Sequence, residues 1–389
     1  MDFKLSDEQL AIRAAIEKIC EKYDDDYWFK KDHEGGPPEE FMADIAAGGW
    51  LGIAMPTEYG GSGLGVSEAA VMMQTVAECG GGFSAASSIH LNIFGLNPVV
   101  KFGSDEQKSR YLPPLIAGKE RACFGVTEPN AGLDTSSIET RAVKDGNKYI
   151  VNGRKVWTSM AQTANKILLL TRTTPKGAEG GKGVDGMTLF YTDFDRSRME
   201  ATEIEKMGRK AVDSNAVFID NLEVPEEDRI GEEGMGFRYI LHGLNPERVL
   251  IASEAVGLGR RALKRAVDYA KERVVFGRPI GQNQAIQHPL ADAWANLEAA
   301  NLMAQKAAAL YDAGEPCGAE ANAAKYLAAE AAFTACERAI MSHGGMGYAK
   351  EYHVERYMRE AFISRIAPVS REMVLNFISE RVLGLPRSY

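Results

Sequence analysis

No run of about 18 consecutive apolar residues occurs anywhere in this 389-residue chain, so a membrane-crossing helix is not expected. The amino-terminal MDFKLSDEQL also lacks the apolar centre of a secretory signal, which points to a cytoplasmic protein. Cysteine is sparse: Cys20, Cys79, Cys123, Cys317 and Cys336 are widely scattered, form no CxxC pair and offer no even disulfide framework. A reducing compartment follows. Basic residues number 45 against 54 acidic ones, and the net charge of −9 leaves no surplus to favour nucleic acid or an anionic membrane. The histidines and cysteines show no zinc-ligand spacing and no GxSxG run marks a nucleophilic serine, so the common metal and hydrolytic chemistries drop out. Internal repeats and low-complexity tails are missing too.

What is present is a chain 45% hydrophobic and long enough for two or three domains. Ser6 and Gln9 form a capping-box pattern, and Ile12, Ile16 and Ile19 follow at helical spacing. EEFMADIAAGGW and SEAAVMMQTVAECG read as amphipathic helices separated by the glycine-rich TEYGGSGLG. From about residue 120 the pattern changes to short runs of strand formers: Tyr149 to Val151, Ile167 to Thr171, Met187 to Tyr191 and Ala216 to Ile219. Turns are expected at Asp145-Gly146, at Asn152-Gly153 and in the loop PKGAEGGKGVDG. Strands this close together, without helices between them, predict an antiparallel sheet or small barrel. After Gly236 the helical period returns, with Val249, Ala252, Val256, Gly259, Leu263, Ala266 and Ala270 forming one stripe. Two alanine-rich helices follow between Leu290 and Ile340, broken at Gly314-Glu315-Pro316. The fold class is α+β, mainly α, with segments 1–119 helical, 120–235 β and 236–389 a helical bundle.

Gly257-Leu258-Gly259-Arg260-Arg261-Ala262 carries glycines like those of a dinucleotide fingerprint, but no strand precedes it. The glycines are read instead as points of close helix contact. Phe124-Gly125-Val126-Thr127-Glu128-Pro129-Asn130-Ala131-Gly132 combines a ring, a hydroxyl and backbone donors on a strand and turn, a surface suited to a planar heterocycle. Taken alone it is an ordinary polar turn. Val156-Trp157-Thr158-Ser159 adds a flat indole and two hydroxyls, although an isolated tryptophan is more often core.

FGVTEPNAG, VNGRKVWTS, ERVVFGRPIGQNQAIQH and HGGMGYAKEYHVERYMRE, in this order and across nearly the whole chain, resemble the signatures of the acyl-CoA dehydrogenase family. The resemblance implies FAD as cofactor and a helical domain, a middle β-barrel and a carboxy-terminal four-helix bundle. It implies that Phe124, Val126, Thr127, Trp157 and Ser159 line the flavin. Arg273, Phe276 and Gln284 match positions reaching the FAD of a neighbouring subunit, which implies a homotetramer. Met341, Gly344, Gly345, Ser370 and Glu372 match further cofactor contacts. Leu133, Asn245 and Arg248 match substrate-binding positions, with Leu133 standing where many relatives have serine.

The family's commonest base is a carboxy-terminal glutamate, but Pro368 occupies its place here. A subset resembling isovaleryl-CoA and long-chain dehydrogenases carries the base on a helix of the last domain, and Leu244-Asn245-Pro246-Glu247-Arg248 matches that position. Glu247 is therefore the expected base, with Asn245 as a helix cap, Pro246 in the first turn and the helix dipole acting on the carboxylate. Desolvation is expected to outweigh that dipole. The implied reaction is α,β-dehydrogenation of an acyl-CoA, with the base's backbone N–H among the oxyanion donors and electron-transfer flavoprotein as acceptor. An oxidase using oxygen and a non-catalytic acyl-CoA scaffold are the alternatives, and fatty acid or branched-chain acyl degradation is the implied setting.

Overall fold

A computed structural model describes residues 4–178 and 183–388, without the side chains of residues 94 and 95. Residues 179–182 of the expected PKGAEGGKGVDG loop lie outside the described residues. Ser6 caps α1 (Asp7–Cys20): its Oγ accepts from the Gln9 N–H at 3.1 Å while Gln9 Oε1 accepts from the Ser6 N–H at 3.2 Å. The capping box satisfies two donors that a helix start leaves orphaned, and Ile12 and Ile16 turn inward behind it. There follow α2 (Asp25–Glu34), α3 (Glu39–Ala47), α4 (Val66–Val76), α5 (Gly82–His90), α6 (Asn97–Phe102) and α7 (Asp105–Ile116).

The middle segment holds β1 (Ala122–Gly125), β2 (Arg141–Asp145), β3 (Lys148–Ser159), β4 (Lys166–Arg172), β5 (Met187–Asp193), β6 (Met199–Glu203) and β7 (Ser214–Pro225). They pair in the order β1-β4-β2-β3-β7-β6, with β5 also on β4. Most pairs are antiparallel as expected, but β1 runs parallel to β4 from Ala122↔Lys166 to Gly125↔Leu169, so the sheet is mixed. The chain between them is long enough for the return that a parallel pair requires. Asn152-Gly153 is not a hairpin turn. It lies inside β3, at a register shift against β7, where a Cβ on Gly153 would stand 2.4 Å from Thr140 Oγ1. The glycine serves a bulge and a close approach, while Asp145-Gly146 makes the expected turn between β2 and β3.

The last segment comprises α8 (Gly236–Glu272), a two-stranded ribbon of β8 (Val274–Val275) and β9 (Arg278–Pro279), α9 (Gln284–Asp312), α10 (Gly318–His343), α11 (Val354–Ile366) and α12 (Arg371–Phe377). No helix among the described residues is long and apolar enough to cross a membrane. Gly257 and Gly259 lie within α8, as their spacing in a helical stripe implied. An added Cβ on Gly257 would meet the Gln74 carbonyl oxygen of α4 at 2.2 Å, and one on Gly259 would meet Leu297 of α9 at 2.6 Å.

Alternation on β4 explains how the layers join. Ile167 and Leu169 enter the core within the sheet, with Phe190 and Val217, whereas Leu168 and Leu170 face a second core with Leu112, Leu189 and Ile240. A strand buried on both faces reads as a continuous apolar run. Ile240 belongs to α8, so this second core presses the start of α8 onto the sheet. Further along, α8 enters the largest core with α1, α4, α5, α9, α10 and α11.

Candidate active site

Glu247 does not lie in a first turn. Helix α8 begins at Gly236, so Asn245 and Pro246 are interior residues and the dipole expected to act on the carboxylate is absent at this depth. Pro246 has no N–H to offer the His242 carbonyl, a defect that usually stops a helix. Packing carries the helix through: the Tyr239 ring packs tilted against Phe102 of α6 at 4.4 Å, and His242 Nδ1 meets Asn97 Oδ1 at 3.2 Å. Inside a continuous helix the Glu247 N–H is directed back to Gly243, so it is not the free oxyanion donor that the resemblance implied.

The Glu247 side chain opens into a narrow cleft walled by Leu91, Pro98, Phe124, Ile240 and Leu244. Phe124 comes from β1 and Leu244 from α8, so the cleft is made where the helix crosses the sheet. Burial pushes the Glu247 carboxyl above its ordinary value, against the positive charges of His90 and Arg248 and with the help of Glu254. Desolvation of the charged form thus dominates, as expected, although without the opposing dipole. Arg248 is half-buried; its Nη1 donates to Asn245 Oδ1 at 3.0 Å, while its Nε is buried without a partner.

Two further runs lie side by side beyond Phe124. The Val156 N–H donates to the Thr127 carbonyl at 2.9 Å, and Lys155 Nζ donates to the Val126 carbonyl at 3.1 Å and to Glu128 at 2.8 Å. The register of β3 against β7 slips between Lys155 and Thr158, and there Trp157 takes a left-handed φ of 62° and leaves its indole 56% exposed. Ser159 is half-buried beside it, and the buried Thr158 Oγ1 has no partner. Leu133 stands out to solvent on the turn after β1.

The remaining expected positions lie elsewhere. Glu247 and Glu272 are separated by 25 residues of one helix (272 − 247), roughly 37 Å along its axis. Arg273 follows, and Phe276 at the tip of the β8–β9 ribbon is 99% exposed. Gln284 opens α9 in solvent, and Met341, Gly344 and Gly345 are exposed at the end of α10. Tyr269 of α8 stacks on His343 of α10 at 4.2 Å, which joins the ends of these helices. Ser370 caps α12 by accepting from the Met373 N–H at 3.3 Å, and Glu372 is exposed in its first turn. Pro368 sits in the preceding loop, tied down where Lys325 Nζ donates to the Val369 carbonyl at 2.6 Å. A single chain therefore gathers Phe124 and Glu247, but not the ribbon residues, around the cleft.

Sequence reasoning passed over His90 and Glu254. They meet in the interior, Nδ1 to Oε1 2.6 Å, next to the cleft residue Leu91. One signal was available: Glu254 is the only charge between Val249 and Leu258.

Comparison with known proteins agrees with this architecture segment by segment. Residues 6–119 match the acyl-CoA dehydrogenase N-terminal domain, 123–222 the middle domain and 234–383 the C-terminal domain. Acyl-CoA dehydrogenase FadE12 of Mycobacterium tuberculosis is 40% identical over 390 residues, covering 99% of this chain and 98% of the relative. The caffeyl-CoA reductase-Etf complex subunit CarC of Acetobacterium woodii is 34% identical, covering 86% of this chain and 87% of that one. The butyryl-CoA dehydrogenase structure from Megasphaera elsdenii superposes with a TM-score of 0.93 at 30% identity, covering 98% of this chain and all of that one (100%). With three domains matched in order and relatives aligned almost end to end, the chain belongs to the acyl-CoA dehydrogenase family.

Proposed function

We propose that Glu247 is the base that removes the α-proton of an acyl-CoA thioester, in the α,β-dehydrogenation that yields a 2-enoyl-CoA. Family membership makes the chain an FAD-dependent oxidoreductase of acyl-CoA substrates. The observation that carries the assignment of the base is the shared cleft: Phe124, from a run matching the flavin surface, and Glu247 line one cavity although 123 positions separate them (247 − 124). Apolar walls from Leu91, Pro98, Ile240 and Leu244 flank the half-buried Glu247 and offer an acyl chain an apolar surface. A desolvated carboxylate is a stronger base than an exposed one, which suits proton removal from carbon.

The residues fit the cofactor. Trp157 presents an aromatic face outward from a bulge, and the buried Thr158 hydroxyl lacks a partner beside it. Val126, Thr127 and Ser159 supply the neighbouring polar atoms, and we assign these residues and Phe124 to the flavin. When bound, FAD supplies the ring that takes hydride from the β-carbon. Arg248 and Asn245, bonded to each other beside the base, are assigned to the substrate, as is Leu133 at the outer end.

The exposed Phe276 and its neighbour Arg273, about 37 Å of helix from the base, support an assembly in which the ribbon serves a second copy's cofactor, with Gln284 and Met341, Gly344 and Gly345 alongside. Ser370 and Glu372 complete the assigned set. A homotetramer is the proposed assembly. Likeness to an Etf-complex subunit supports electron-transfer flavoprotein as electron acceptor. Five free cysteines fit a reducing, cytoplasmic setting.

The test is Glu247→Gln. The variant is expected to purify yellow with FAD and to fail to bleach under any of a panel of acyl-CoA thioesters; bleaching at the wild-type rate would overturn the assignment.

A further inference from the structure

His90 and Glu254 are both buried, with side-chain exposures of 8% and 0%, and among the described residues their 2.6 Å contact is the only polar bond of either side chain. His90 Nε2 and Glu254 Oε2 are each buried without a partner. Glu254 lies seven residues after Glu247, two turns along α8 and on the same side of it. His90 ends α5, and the next residue, Leu91, walls the Glu247 cleft. A histidine is thereby inserted from a second helix against one carboxylate of α8 and next to the wall of the cleft that holds the other, with one ring nitrogen committed and the other unclaimed.

We propose that His90, clamped by Glu254, is a positioning residue for Glu247: its imidazolium supplies the buried positive charge that keeps the base ionised in an apolar cleft. The proposal rests on Glu247 being the base. The charged groups facing the pair are few. Arg209, from the loop before β7, opposes protonation of His90; Glu254 and Glu247 favour it. His90, Arg248 and Glu254 are the charges that act on Glu247. Burial pulls His90 towards neutrality, yet the two carboxylates overcome it and leave the imidazole above its ordinary value. Its effect on Glu247 exceeds the contrary effect of Glu254, so the ion pair is not electrically silent at the base. Without it, the cleft would favour a protonated glutamic acid, which cannot accept a proton.

The experiment compares wild type, His90→Gln and the double variant His90→Gln/Glu254→Gln, which leaves no unpaired buried carboxylate should the single variant fold poorly. Two readouts are followed against pH in the FAD-loaded enzyme: the rate of bleaching by the acyl-CoA that works best on wild type, and the infrared band of the Glu247 acid, identified by its loss in Glu247→Gln. In His90→Gln both midpoints are expected to rise by about one pH unit, which slows bleaching about tenfold on the acid side. The double variant is expected to shift the same way by less. Midpoints unchanged in folded variants with full FAD content would overturn the proposal. Normal bleaching by Glu247→Gln would instead remove the base assignment, while the infrared titration would still report on His90.

Discussion

Lys155 and Glu128 form an ion pair of 2.8 Å in the interior of the middle segment, with side-chain exposures of 0% and 6%. The pair joins the two runs assigned to the flavin, because Glu128 follows Thr127 and Lys155 precedes Val156. Glu128 also accepts from the Glu139 and Thr140 N–H groups, at 2.6 and 3.0 Å. Burial pulls Lys155 down to about 8 despite its partner, so the lysine remains charged at neutral pH. Removing one member of such a pair strands the other. Lys155→Met is expected to lower stability by about 3 kcal/mol in urea unfolding and to weaken FAD retention. A loss under about 1 kcal/mol would show that the pair contributes only what a surface pair does.

Gly257→Ala probes the packing of α8 on α4. Alanine gains up to about 1 kcal/mol in helix propensity. Its methyl, however, would sit 2.2 Å from the Gln74 carbonyl oxygen, a backbone atom that cannot swing aside. Overpacking of about 1–3 kcal/mol should win, so the urea midpoint is expected to fall. A rise would mean that the two helices separate freely.

His353 predicts a pH window for stability. It is buried at the start of α11 with φ 61° and no partner for Nδ1. Burial, then the charges of Arg356, Arg265 and Arg261, hold its imidazole down to about 4 from an ordinary 6.5. The unfolded chain therefore takes up the proton first. Stability present above pH 6.5 is lost as pH falls towards 4. His353→Asn tolerates the left-handed backbone and does not titrate there. Relative to wild type, this variant should gain stability between pH 6.5 and 4, measured as the difference in urea midpoints; parallel curves would contradict the assignment.

Phe276 is expected to matter to the assembly and little to its own chain's core. With its ring 99% exposed, Phe276→Ser removes almost no intrachain packing. Reduced flavin content after gel filtration, with unchanged circular dichroism, is the expected result. Full flavin retention would detach the ribbon from the cofactor site.

Much of this was legible beforehand because local rules and global packing agree. The Ser6–Gln9 capping box, the break at Gly314-Glu315-Pro316 and the apolar run on β4 each depend on interactions within a few residues or on one uniform environment. Local rules failed where tertiary contacts overrode them. Asn152-Gly153 has the chemistry of a tight turn, yet the approach of Thr140 makes it a bulge. Asn245-Pro246 has the chemistry of a helix start, yet packing on Asn97 and Phe102 carries α8 straight through it.

By itself, the sequence determined the order of helical and β segments, the family and the one carboxylate matching the base of its subset, since spacing and side-chain chemistry are written along the chain. Only the tertiary structure decided that Glu247 sits mid-helix beside Phe124, and that His90 meets Glu254 across 164 residues. Desolvation and buried charge pairing depend on which distant segments exclude water together, and no local pattern encodes that.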